Sequence, residues 1–347
     1  MMPEAKYQEL QGIIKSMKMV SSTEFLFNDN SGEYLTSDGR RQNIIIGEEG
    51  ESNIHSFAEL DNILYTVLHC RQDLAVYYRK RNINQYHDIQ HLTGLLSEAN
   101  SGHGSWDPGW EIIKIEKNGQ EFAVQKDGLT LWVHPREIFV RGGSSGVGEK
   151  IYVKIAKELR ELLPGFYMAI GNATSNYNSG SVVRIYWNIT AAGAVPLMRN
   201  LTAELNAMNL PFHFKILKNP HVFSRTDGAV LYINKQYLKD SKHSLSKVYN
   251  IIKIYLNHQT PFFAKKLAPG LSLAESPSSS EESFGEHRCR ILAEAIYNTF
   301  KKDIRSPDVK VLEVNRYFAS LGIDFDRAYL NPNSVDDYDV LLRGAFD

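Results

Sequence analysis

Two turn signals, Asn118-Gly119 and Asp127-Gly128, stand between three short apolar-rich runs, and that arrangement leaves little choice but a β-meander. Asn-Gly and Asp-Gly supply the positive φ angles that two-residue hairpin turns need. The runs Trp110–Glu116, Glu121–Gln125 and Leu129–His134 are therefore predicted as consecutive antiparallel strands. Upstream, Leu60, Ile63, Leu64, Val67 and Leu68 recur at helical spacing, as do Leu74, Tyr77 and Tyr78, so residues 1 to about 100 are expected to be mainly helical. Residues 100–109 are turn chemistry throughout.

Downstream of a Gly/Ser stretch at residues 142–148, strand and helix patterns alternate. Lys150–Ile155, Val182–Ile189, Phe212–Leu217 and Ala229–Ile233 read as strands. Thr190 is placed to cap a helix that presents Val195, Met198, Leu201, Leu205 and Met208 on one face, although Pro196 interrupts its first turns. Leu245–Leu256 and Glu286–Lys301 read as further helices, the latter preceded by the capping box Ser283-Phe284-Gly285-Glu286. This order predicts an α+β fold, a mixed sheet with flanking helices, preceded by a helical region and a small β-meander. The expected divisions are residues 1–141, a core over 142–305, and a C-terminal extension over 306–347.

Charge narrows the function classes. The chain has 347 residues, a net charge of −1 and two cysteines, Cys70 and Cys289. No global basic field draws it to nucleic acid or an anionic membrane, so neither is expected as a partner. Two cysteines argue against a disulfide framework or a cysteine zinc site. The absence of a signal-peptide core near Met1 and of any long apolar run leads us to expect a cytoplasmic protein.

Two motifs are set aside. Gly142-Gly143-Ser144-Ser145-Gly146 matches a nucleophile elbow only in letters, because a strand and not a helix follows. His87 and His91 stand at i and i+4 with Asp88 between them, but two ligands do not make a zinc site, and an ordinary helix surface is the expectation.

What remains is a scatter of cations at element ends. In Arg184-Ile185-Tyr186-Trp187-Asn188, strand alternation puts Arg184, Tyr186 and Asn188 on one face. In Phe212-His213-Phe214-Lys215, His213 and Lys215 share a face. Arg225 and Asp227 precede the strand that carries Tyr232, Lys265 and Lys266 precede a Pro-Gly turn, and His287 and Arg288 open the last helix, whose N-terminus favours an anion. A lysine alternating with phenylalanine is ordinarily the solvated face of a sheet, and Arg225 beside Asp227 is ordinarily a local ion pair. Several cations and two phenols drawn to one sheet face would instead hold a phosphate.

The stretches Arg184–Thr190, Asn206–Lys215, Arg225–Tyr232, Phe263–Gly270, Leu273–Glu275 and Ser283–Cys289, with Pro164-Gly165-Phe166-Tyr167, resemble the HopA-type effector family over roughly residues 150–300. The resemblance implies a phosphothreonine-lyase-like fold. Stand-alone members act as lyases in class V lanthipeptide and thioamitide biosynthesis, beside a peptide kinase. It therefore implies elimination of phosphate from phosphoserine or phosphothreonine of a precursor peptide, giving dehydroalanine or dehydrobutyrine, without metal or other cofactor. The implied partners are that phosphorylated precursor peptide and its kinase. Related lyases carry Lys-x-His on a strand, where this chain has Arg184 and Tyr186. Arginine stays protonated and is a poor base. Lys215 is the candidate base, Tyr186 or His287 the candidate acid, and Arg184, Arg225, Lys265 and Arg288 the candidate phosphate ligands. The alternative is a non-catalytic effector of the same fold that binds phosphopeptides or a host protein.

Overall fold

A computed structural model gives the architecture; it describes residues 4–19, 24–27, 34–35, 41–42, 55–56, 59–72, 86–116, 119–126, 129–142, 145–173, 182–277 and 282–346. The expected helical positions Leu74, Tyr77 and Tyr78, and the turn residues Asn118, Asp127 and Gly128, lie outside them.

The N-terminal region is more mixed than its periodicity suggests. Helix α1 (Glu4–Lys15) leads into a small antiparallel sheet of β1 (Met17–Met19), β2 (Glu24–Phe27) and β5 (His55–Ser56), beside the pair β3 (Tyr34–Leu35) and β4 (Arg41–Gln42). Helix α2 (Leu60–Leu64) then widens into a π turn over Tyr65–His69, closed by Cys70 N–H donating to the Tyr65 carbonyl. Leu60, Ile63, Leu64 and Leu68 are buried, as their spacing requires. Helix α3 (Tyr86–Ala99) follows.

The meander forms, but its first strand starts at Ser105, inside the stretch expected to be turn, and two further strands join it. Strands β6 (Ser105–Ile115), β7 (Phe122–Lys126) and β8 (Leu129–Val133) make consecutive antiparallel pairs. The short β9 (Ile138–Phe139) and β10 (Lys150–Ile155) complete a five-stranded sheet in the order β8-β7-β6-β10-β9. Lys150–Ile155, expected to open the following unit, thus pairs back onto Ser105–Glu111. This sheet keeps its own small core of Trp110, Ile112, Phe122, Val124, Val133, Ile151 and Val153.

The second sheet runs β11 (Glu158–Leu159), β12 (Phe166–Ile170), β14 (Phe212–Leu217), β15 (Ala229–Asn234), β13 (Val182–Trp187), β17 (Leu271–Glu275), β16 (Lys265–Ala268). The α+β class holds, but the sheet expected to be mixed is antiparallel at every pairing. Helix α4 (Ala191–Ala207) links β13 to β14, a connection that would make them parallel neighbours. Strand β15 returns from β14 and inserts between them, so the two never touch.

One face of this sheet (Val183, Ile185, Trp187, Leu231, Phe214, Leu273) lies in the main core with Leu197 and Leu201 of α4 and Leu245 and Val248 of α5 (Leu238–Ile252). That core also takes in α1, α2, and the C-terminal helices α6 (Phe284–Lys301), α7 (Pro307–Ser320) and α8 (Tyr338–Leu341). The capping box of α6 forms as read, Ser283 Oγ accepting from Glu286 N–H. Residues 306–346 are tied to the sheet: Tyr338 Oη donates to buried Glu275 at 2.8 Å and the Asn331 amide donates to its other oxygen at 2.8 Å.

Candidate phosphate site

The other face of the second sheet collects the polar residues. Cross-strand register sets Ser272, Tyr186, Val230, Lys215 and Met168 in one row across five strands. The adjacent row holds Ala274, Arg184, Tyr232, His213 and Ile170. The strand alternation that put Arg184 with Tyr186, and His213 with Lys215, is therefore completed by register, which brings both pairs to one face.

Aromatic rings space the cations. Arg184 and Lys215 share the Tyr232 ring, at 5.3 and 5.8 Å from its centroid. Lys215 and Arg225 share the Phe166 ring, at 4.6 and 6.0 Å. All three cations remain partly exposed. Among the described residues no carboxylate lies within ion-pair distance of Lys215 or Arg184; the latter donates from Nε to Ser276 Oγ at 2.9 Å. Two uncompensated positive charges over half-buried rings leave an anion as the natural partner.

Beneath them sits a buried carboxylate. Asp227 receives a two-pronged grip from Arg225, through Nε and through Nη2 at 2.7 Å. Tyr65 Oη donates to Asp227 at 3.2 Å and accepts from Arg225 Nη2 at 3.0 Å. His69 Nε2 lies 3.6 Å from the same carboxylate. Burial opposes the Asp227 charge, but the Arg225 guanidinium overrides it and holds the carboxyl well below its usual range. For His69, burial is the dominant influence and pushes the imidazole down to about 4, with Asp227 opposing, so the ring is neutral at neutral pH. Tyr186 is also buried; burial pushes its hydroxyl up, and the Arg184 charge only partly offsets this.

Packing around His69 is close. Its ring stacks on Tyr65 at 5.0 Å and meets Tyr186 edge-on at 5.4 Å. A Cβ on Gly285, in the first turn of α6, would fall 2.5 Å from His69 Cγ, so glycine is what lets the helix approach. Among the described residues His69 Nδ1, Tyr186 Oη and Ser272 Oγ are buried without a hydrogen-bond partner. Native proteins carry few such groups, and here three gather beneath one set of cations.

Of the residues picked from sequence, the fold brings together Arg184, Tyr186, Lys215 and Arg225. It places the other three elsewhere. Lys265 lies in register with Leu273, on the opposite face, where it pairs with Asp336 at 3.5 Å and Asp339 at 3.0 Å. Arg288 is fully buried and donates to the Ala328 carbonyl at 2.7 Å and the Leu330 carbonyl at 2.8 Å, so with His287 on Nη1 its donors are spent inside the protein. His287 accepts from Arg288 at 2.6 Å and lines a separate cleft with Arg290 and Glu294. Burial and then Arg288 push it down to about 4, leaving no proton to give at neutral pH. Asp227, Tyr65 and His69 carry the geometry that sequence reading did not assign. Tyr65 and His69 lie on the π turn, where a widened helix is a recurrent sign of function, but the turn has no sequence signature of its own.

The histidine pair behaves as surface, while Gly143 and Ser144 of the Gly/Ser motif lie outside the described residues. His87 is almost fully exposed on α3, and Asp88 pairs with His221 at 2.7 Å. A larger cleft of about 710 Å³ lies between the two sheets, lined by Trp106, Lys154, Asn172, Asn209 and Tyr237, away from the cation cluster. Both cysteines are buried and free. No described helix is long and apolar enough to cross a membrane.

The run of sequence that holds the two rows and the Arg225–Asp227 fork also has relatives. Residues 158–330 match the HopA1 effector protein family. The matched residues include Arg184, Tyr186, Lys215, Arg225 and Asp227, and exclude Tyr65 and His69. Two solved structures are similar to the chain. One is the effector protein from Pseudomonas syringae pv. tomato strain DC3000, at 15% identity and a TM-score of 0.45 over 80% of this chain and 96% of that one. The other is the effector protein from Pseudomonas syringae pv. syringae strain 61, at 15% identity and a TM-score of 0.42 over the same shares. No curated protein matches the chain significantly.

Proposed function

We propose that this protein is a phosphoserine or phosphothreonine lyase acting on a phosphorylated precursor peptide, made by a partner kinase in the cytoplasm, to give dehydroalanine or dehydrobutyrine. The observation that carries the reading is the pair of uncompensated cations, Arg184 and Lys215, beside the Arg225 fork on one sheet face. For that step the Lys215 ammonium first gives a proton to solvent; the amine then takes the Cα proton, the Cβ–O bond breaks, and the electron pair of that bond leaves with the phosphate. Arg184 and Arg225 stabilise the charge gathering on the leaving group, and Tyr186 Oη, unpartnered beside them, gives it a proton. The reaction as written calls on no metal.

Incubating the protein with a phosphothreonine peptide should release one phosphate per modified residue and leave a dehydrated peptide by mass spectrometry. Lys215→Ala should abolish that product while leaving the thermal midpoint within a degree or two, because Lys215 holds no ion pair among the described residues. Intact phosphopeptide after long incubation with folded protein would sink the catalytic reading.

A second reading, a phosphopeptide- or host-protein-binding effector without catalysis, is favoured by one feature. Where related lyases carry Lys-x-His, this strand carries Arg184 and Tyr186. Saturable phosphopeptide binding with no product in the same assay is its signature.

A further inference from the structure

We propose that Tyr65 and His69, two side chains outside the family-matched segment, are positioning residues of the phosphate site, acting through Asp227 on Arg225. This rests on the anion-site part of the reading above and goes beyond it by drawing the N-terminal arm into the site. A carboxylate under a phosphate pocket is a liability, since it repels the anion unless its charge is absorbed. Asp227 is 2% exposed and its oxygens face Arg225, Tyr65 and His69. Tyr65 Oη occupies the corner of this arrangement, donating to Asp227 and accepting from Arg225 Nη2. With Nε and Nη2 so engaged, Nη1 is the edge of the guanidinium left to face an incoming phosphate.

The arm is built to hold that corner. Its backbone is bonded on both sides, Thr226 N–H to the Cys70 carbonyl at 3.0 Å and Phe262 N–H to the Leu68 carbonyl at 3.0 Å. Thr226 Oγ1 also donates to the His69 carbonyl. Inside the π turn the extra residue sets Tyr65 and His69 stacked, 5.0 Å apart, both aimed at Asp227. Gly285 leaves the room that the His69 ring fills.

The experiment measures inorganic phosphate binding to the full chain by calorimetry, with elimination from a phosphothreonine peptide followed separately. Tyr65→Phe, which removes one oxygen, is expected to weaken phosphate about tenfold while lowering the thermal midpoint by no more than a few degrees, so that the chain stays folded in the assay. In an Arg225→Lys background it should cost nothing more, because both changes act on one fork. His69→Gln, measured well below its own midpoint, is the independent second variant and should weaken phosphate about threefold. Wild-type affinity in both Tyr65→Phe and His69→Gln, or additive losses in the double variant, would overturn the inference. A wild-type chain that binds no phosphate overturns it together with the site. Phosphate binding with the expected coupling but no dehydrated peptide upholds it and removes only the lyase reading.

Discussion

At the scale of single residues, arginine is used here in two opposite ways. Arg225 sits at a rim, keeps one edge open, and is tuned by a carboxylate. Arg288 is sealed inside, and its fork ties the first turns of α6 to the backbone of residues 328–330. Burial pushes Arg288 down to about 10, yet it stays charged at neutral pH. Replacing it with methionine would leave two buried carbonyls unpaired, so Arg288→Met is expected to destabilise the fold by about 3 kcal/mol. A urea midpoint unchanged from wild type would show that those carbonyls find other donors. The same residue scale sets the acid limit. His69 titrates near 4 when folded and about 6.5 when unfolded, so between those values the unfolded chain binds the extra proton. Stability is then full above pH 6.5 and falls as pH drops toward 4, by up to about 3 kcal/mol from this one group. Asp227, held below its ordinary value, adds a further loss in the same direction at lower pH. Urea titrations at pH 7 and pH 4.5 should show a smaller difference for His69→Gln than for wild type.

At the scale of elements, the strands were easier to read than the helix that matters most. Phe212–Leu217 and Lys150–Ile155 emerge with the ends that alternation and β-branching predicted. The helix expected at Leu245–Leu256 runs instead from Leu238 to Ile252, because its buried stripe of Leu238, Ser241, Leu245, Val248 and Ile252 begins behind the charges of Lys239, Asp240 and Lys242. Pro196 stays inside α4, in its second turn, where the lost hydrogen bond is tolerated and Asn200 donates to the Pro196 carbonyl at 2.8 Å. The π turn leaves no mark on the sequence pattern because Leu64, Val67 and Leu68 keep ordinary helical spacing through it. One inserted residue per turn alters which side chains point inward without altering the hydrophobic pattern.

At the scale of the whole molecule, two cores divide the chain differently from a cut at the Gly/Ser stretch. The meander over 105–155 has its own core, while segments from both ends of the chain join the other. Its ends also meet, since Ser105 and Ile155 are cross-strand partners. Replacing residues 106–154 by a short Gly-Ser linker should therefore leave the second sheet folded and phosphate binding intact. Circular dichroism and calorimetry on that variant would check it; loss of cooperative unfolding would show that the meander is part of the main folding unit.

Local chemistry alone determined much of this protein: the hairpins, the capping box, the α+β class, and the alternation that set Arg184 with Tyr186 and His213 with Lys215. These depend on the period of the backbone and the preferences of neighbouring residues, which a sequence carries in full. Only the tertiary structure decided which cations meet. Lys265 and Arg288 have the same charge as Lys215 and Arg225, and nothing in their neighbours told that one would cross to the far face and the other be consumed by backbone carbonyls. Nor did local pattern connect Tyr65 and His69 to Asp227, more than 150 positions away in the chain. Such contacts are set by sheet register and by how separate segments close over one core, and both are properties of the packed molecule.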